Sequence, residues 1–142
     1  MTDRLHRFPI RVYYEDTDAG GIVYHSNYLK FAERARTELV REIGIRQSEL
    51  LADGAGFAFA VRRVEIDFLR PARLDDFLEV ASEVTTVGGA TLDLCQVIRR
   101  LDVDIELVRL NVRIGFITLA GKPARMPAAM RASFGQWISE RG

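Results

Sequence analysis

From Arg7 to Tyr14 apolar and polar residues alternate: Phe8, Ile10, Val12 and Tyr14 share one parity, Arg7 and Arg11 the other. Period two predicts a half-buried strand. A polar loop, Glu15 to Gly21, follows, and from about Ser26 to Ile43 the period lengthens. Tyr28, Ala32, Ala35, Leu39 and Ile43 recur at three- and four-residue steps, and Phe31 and Val40 widen the stripe. This pattern predicts a helix buried on one face. Gly44 stands where a left-handed cap commonly ends such a helix. A short helical turn is expected around Gln47 to Ala52.

Beyond Gly56 the pattern is that of strands until about Leu119. Phe57, Phe59 and Val61 share one parity, and Val64, Ile66 and Phe68 take the other. A one-residue slip reverses the buried face, so a bulge is predicted at Arg62-Arg63. Pro71 and Asp75-Asp76 mark a connection. Phe77 to Val87 and Thr91 to Leu101 form a hairpin across Gly88-Gly89. Val108, Leu110, Val112, Ile114 and Phe116 alternate cleanly up to a turn at Gly121-Lys122-Pro123. Pro127 opens a last helix carrying Met130, Phe134, Trp137 and Ile138 on one side. The order is strand, long helix, four or five antiparallel strands, short helix. This predicts an α+β layer with the helix covering one sheet face.

Length and composition narrow the classes. At about 100–200 residues per domain, 142 residues predict a single domain spanning 1–142. Hydrophobic residues at 48% are globular composition. Twenty Lys and Arg balance twenty Asp and Glu, which disfavours nucleic acid as a partner. The bases are eighteen Arg and two Lys, a bias read as compositional. No apolar run approaches the roughly 18 residues of a membrane span. Met1 to His6 lacks the apolar stretch of a signal peptide. The single cysteine, Cys95, suits a reducing compartment, so a cytoplasmic location is expected. With only His6, His25 and Cys95 as candidates, no zinc site is expected, nor any cofactor. Gly54-Ala55-Gly56 begins like a dinucleotide loop, but Phe59 replaces the third glycine.

One segment concentrates chemistry. Tyr13 to Tyr28 joins the first strand to the long helix and crowds Glu15, Asp16, Asp18, Gly20, Gly21, His25 and several tyrosines together. The helix start offers unpaired N–H groups and a positive dipole end. A carboxylate opposite those donors would act as base or nucleophile facing an oxyanion site, an arrangement suited to acyl transfer. Asp16 and Asp18 also fit plain turn and cap roles, and His25 fits a helix cap or a packed polar group.

Val12-Tyr13-Tyr14-Glu15-Asp16-Thr17-Asp18-Ala19-Gly20-Gly21-Ile22-Val23-Tyr24-His25-x-x-Tyr28 resembles the signature of hotdog-fold acyl-CoA thioesterases, above all the YbgC group, related to 4-hydroxybenzoyl-CoA thioesterase. The likeness continues through Glu33-Arg34-Ala35-Arg36-Thr37-Glu38 and Pro71-Ala72-Arg73-Leu74-Asp75-Asp76, with an echo at Pro123-Ala124-Arg125-Met126-Pro127. The resemblance implies a hotdog fold, an antiparallel sheet wrapped around one long central helix. It implies hydrolysis of an acyl-CoA thioester, with acyl carrier protein as an alternative donor. Asp18 takes the position of the catalytic carboxylate, and backbone N–H groups at Tyr24 and His25 would polarise the thioester carbonyl. His25 would orient substrate or water, Tyr14 would stand beside the site, and Phe59 and Val61 would line the acyl group.

In the hydroxybenzoyl enzyme a basic turn grips the CoA phosphates, whereas Val87-Gly88-Gly89-Ala90 here carries no charge. Either Arg62, Arg63, Arg99 and Arg100 replace it or CoA is held loosely, which leaves room for acyl carrier protein as the donor. A homodimer or homotetramer is expected, with the site at the subunit boundary. The rival functions are an acyl-thioester hydratase, whose His–acid pattern is missing, and a non-catalytic acyl-thioester-binding or scaffolding subunit of envelope or lipid-synthesis assemblies.

Overall fold

A computed structural model describes residues 5–52 and 56–138. The chain start Met1 to Arg4 and the Gly54-Ala55 pair lie outside the described residues. The elements run β1 (His6–Arg11), a 3₁₀ turn (Tyr14–Asp16), α1 (His25–Ile43), α2 (Gln47–Ala52), β2 (Phe57–Phe68), β3 (Phe77–Val87), β4 (Thr91–Arg100), β5 (Ile105–Thr118) and α3 (Ala128–Gly135). The strands form one antiparallel sheet ordered β1-β3-β4-β5-β2, so β1 and β2 are its edges.

α1 lies against β1, β3 and β4 through its apolar stripe. Tyr28, Phe31, Ala32, Ala35, Leu39 and Val40 are buried, and they meet Leu78, Val80, Val84, Leu94 and Ile98 in one core. A fully buried large side chain contributes about 1.5–3 kcal/mol. Helix propensities differ by only about 0.7 kcal/mol per ordinary residue, so packing fixes α1 in place. Gly44 caps it with φ 101°.

The expected bulge is present: β2 pairs with β5 through a register shift between Val61 and Arg63. It turns Val61 partly outward while Phe59 stays half-buried, tilted against Phe116 at 5.3 Å between ring centres.

Two boundaries differ from expectation. β1 stops at Arg11 rather than Tyr14, because Tyr13 N–H donates to the Asp16 carboxylate at 2.8 Å and draws the chain into the 3₁₀ turn. Tyr14 is therefore 82% exposed, outside the sheet that its parity suggested. α3 ends at Gly135, and Trp137 and Ile138 lie beyond it, with Ile138 bridged in parallel to Val84. Pro127 caps that helix from outside its first turn.

Candidate active site

The segment after β1 is built from backbone hydrogen bonds. Thr17 and Val23 face each other across a tight hairpin, within which Asp18 N–H donates to the Ile22 carbonyl (2.9 Å) and Gly21 N–H to the Asp18 carbonyl (3.1 Å). Asp18 Oδ1 accepts the Gly20 N–H at 2.8 Å, and a Cβ on residue 20 would press to 3.2 Å from that oxygen. Glycine at 20 thus lets the backbone close on the carboxylate. Oδ2 accepts nothing among the described residues, and the side chain is exposed.

Asp16 is structural. Its carboxylate takes the Tyr13 N–H, and its carbonyl takes both the Tyr24 N–H (3.0 Å) and the Asn27 amide (2.9 Å). This corrects one expectation: the Tyr24 N–H is engaged by Asp16 and is not a free oxyanion donor. His25 and Ser26, the first residues of α1, carry the N–H groups that helix geometry leaves without an intrahelical partner.

The β2–β3 connection braces the loop from below. Val23 N–H donates to the Ala72 carbonyl at 2.8 Å, Ile22 bridges Arg73, and the buried Tyr28 hydroxyl accepts the Ala72 N–H at 2.9 Å. Burial pushes the Tyr28 phenol's pKa up, so it stays neutral as the acceptor. Ala72 and Tyr28, both within the stretches that resemble the family, fix the site loop through these bonds. The imidazole of His25 lies 4.4 Å from the Tyr24 ring and 6.3 Å, edge-on, from Phe68. His25, Tyr28, Phe68 and Leu69 line a cleft of about 350 Å³ beside the loop.

Phe59 and Val61 line a different cleft, of about 260 Å³, together with Arg36, Leu92, Leu94 and Ile114. Val61 and Phe68 are seven residues apart on β2, which at about 3.3 Å per residue is roughly 23 Å. Within one chain the fold therefore keeps His25 and the helix start, with Asp18 on the hairpin just before them, apart from the expected acyl wall. Tyr14 stands on the solvent side of the loop.

The candidate phosphate grips are largely neutralised. Arg63 pairs with Glu65, Arg99 with Asp104 and Glu106, and Arg100 with Asp76 and Asp102. Arg62 packs its stem beside Gly115. Arg125 lies over the turn itself. Met126 N–H donates to the Gly89 carbonyl at 2.8 Å, laying the Arg125 guanidinium over the uncharged β3–β4 turn, where a Cβ on Gly89 would come within 3.1 Å of Nη1. Arg125 is exposed and has no acidic partner among the described residues.

No helix among the described residues is long and apolar enough to cross a membrane. Residues 20–106 match the family model of the thioesterase superfamily. The chain is 42% identical over 140 residues, 96% of its length and 100% of the relative's, to the acyl-CoA thioester hydrolase YbgC of Escherichia coli. It is 43% identical over 135 residues, 94% of its length and 97% of the relative's, to the acyl-CoA thioesterase YbgC of Haemophilus influenzae. Among solved structures, a probable thioesterase from Bartonella henselae superposes with a TM-score of 0.82 at 38% identity, covering 87% of this chain and 99% of that one. A 1,4-dihydroxy-2-naphthoyl-CoA thioesterase from Synechocystis superposes with a TM-score of 0.85 at 22% identity over 92% of this chain and 96% of that one, a likeness of fold.

Proposed function

This chain belongs to the thioesterase superfamily, and from that footing we propose that it is an acyl-CoA thioester hydrolase, converting an acyl-CoA and water to free acid and CoA. The observation that carries the reading is the Asp18 hairpin. One carboxylate oxygen is held by Gly20 N–H and the other is open, on a loop that feeds directly into the start of α1. The His25 and Ser26 N–H groups accept the negative charge that develops on the carbonyl oxygen. Asp18 acts in one of two ways: its open oxygen takes a proton from water, whose oxygen attacks the carbonyl carbon, or it attacks that carbon itself and water later hydrolyses the mixed anhydride. In both the C–S bond breaks, and the sulfur leaves with the electron pair and takes up a proton. His25, with its ring over the Phe68 cleft, orients substrate or water; Tyr14 is a peripheral contact.

The separation of the two clefts supports a shared site. In a homodimer, or a tetramer built from two such dimers, the Asp18 loop of one copy faces the partner's Phe59 and Val61. β2 is an unpaired edge carrying the outward Val61 and Phe68, the kind of edge a second copy covers. Arg125 over the β3–β4 turn supplies the charge for the CoA phosphates that the turn lacks. That favours CoA over acyl carrier protein as donor. The single cysteine accords with a cytoplasmic enzyme, and one sheet over one core accords with a single domain.

The test is a panel of acyl-CoAs with a thiol-reactive dye. Release of CoA with formation of the free acid is expected. Binding without thiol release would make the chain a non-catalytic acyl-binding subunit, and an absorbance change from a new or lost double bond would make it a hydratase.

A further inference from the structure

Arg36 projects from the middle of α1 toward the cleft of Phe59, Val61, Leu92, Leu94 and Ile114, and it has no part in the chemistry above. Its side chain is partly buried, and its one hydrogen bond is from Nη1 to Gln96 Oε1 at 3.0 Å. Gln96 is wholly buried, and its amide is fixed in turn: Nε2 donates to the Ala32 carbonyl (3.0 Å) and to Ser82 Oγ (2.9 Å), so Oε1 can only face the guanidinium. No carboxylate pairs with Arg36 among the described residues. Glu33, one turn earlier and exposed, borders the same cleft, and its charge acts on Arg36 from beyond ion-pair distance.

A guanidinium has five N–H donors and does not shed its charge at ordinary pH. Withdrawing it from water beside apolar walls is costly unless an anion or acceptors complete its shell. Here the protein offers one neutral acceptor and holds it rigidly. Burial accordingly pulls the Arg36 pKa down from its ordinary value, against the opposing pull of the Glu33 carboxylate, and the guanidinium remains charged at ordinary pH. The cleft thus joins an apolar wall of Phe59, Val61, Leu94 and Ile114 to a polar margin of Glu33, Thr37 and Gln47, with the under-engaged Arg36 fixed between them.

We propose that Arg36, positioned by Gln96, determines specificity in the acyl cleft by binding a terminal carboxylate, so that the preferred substrates are CoA monothioesters of short dicarboxylic acids. This rests on the reading that the Phe59–Val61 cleft receives the acyl group of a thioester. Bidentate pairing of guanidinium and carboxylate completes the donor shell, and the methylenes of the chain lie along Phe59, Val61 and Leu94.

The experiment compares kcat/KM for succinyl- and glutaryl-CoA with that for 4-methylpentanoyl- and 5-methylhexanoyl-CoA, in which an isopropyl group replaces the carboxylate at the same length. The wild-type protein should prefer at least one diacid to its isostere. Arg36→Met should lower that ratio by about 10- to 150-fold, the range for a hydrogen-bonded charge, and Arg36→Lys should keep part of it. A wild-type preference for the isosteres overturns the inference without any variant. So does an Arg36→Met ratio equal to wild type, or an equal loss on both substrates with a change of oligomeric mass, which would make Arg36 a contact to an acid of a second copy. If no acyl-CoA of either class is hydrolysed, it is the thioesterase reading that fails.

Discussion

At the scale of single residues the account turns on the open oxygen of Asp18. Asp18→Asn keeps the shape and the Gly20 hydrogen bond but removes the charge. It should lower CoA release by at least about 100-fold, the lower bound for losing a positioned base, at an unchanged melting temperature. An Asn variant with most of the wild-type rate would assign the chemistry elsewhere. His25→Ala should cost less, because the helix-start donors remain. His6 gives a pH prediction of its own. Buried beside Glu42 (3.2 Å) and the Trp137 ring, it has its pKa lowered below 6.5 by burial, against the opposing pull of Glu42 and Glu38. Above that value His6 is neutral in both folded and unfolded chains. As pH falls through it the unfolded chain takes up the proton first, so stability is lost. Between about pH 8 and about pH 5.5 the wild type should lose more melting temperature than His6→Phe; equal losses would remove His6 as the cause. Asp18 and His25 were visible in the sequence only as candidates, because glycines and acids crowd one loop that turn and cap roles also explain. Arg36 was not. The signal that could have exposed its site was polar Ser82 and Gln96 standing at apolar parity in β3 and β4.

At the scale of elements, periodicity placed α1, the β3–β4 hairpin and the β2 bulge, since each buries a regular face. It misplaced the ends of β1 and α3, where local hydrogen bonds rather than burial decide: Tyr14 keeps the strand parity but belongs to the Asp16-capped turn. The brace between α1 and the β2–β3 connection was also invisible, because the partners Tyr28 and Ala72 lie far apart in sequence. Tyr28→Phe leaves the buried Ala72 N–H without an acceptor, a cost of about 1–3 kcal/mol. The melting temperature should fall by roughly 2–12 °C, and a drop under about 1 °C would dismiss the brace. The loop that carries Arg125 makes a separate prediction. Arg125→Ala should raise KM for acyl-CoA several-fold and leave the same acyl group on N-acetylcysteamine unaffected, since that thiol has no phosphates. Equal effects on both substrates would show that Arg125 does not meet the nucleotide.

At the scale of the whole molecule, the antiparallel sheet over one helix leaves the outer edge of β2 without a partner strand among the described residues and puts His25 and the Phe59–Val61 pair in different clefts. Sequence reading reached the fold class because short connections within the later strands favour antiparallel pairing, but it did not reach the strand order, in which β2 leaves β3 to pair with β5. It could not measure the distance between Asp18 and Val61, which depends on how far β2 runs. The division makes the central claim testable in one measurement. Asp18→Asn and Val61→Arg proteins, each inactive alone, are mixed under conditions where subunit exchange is proven by mass, and CoA release is followed. A shared site predicts that heterodimers regain activity, because one of their two sites combines an intact Asp18 loop with an intact Val61 wall. Heterodimers that form and stay inactive would contradict it and place each site within one chain.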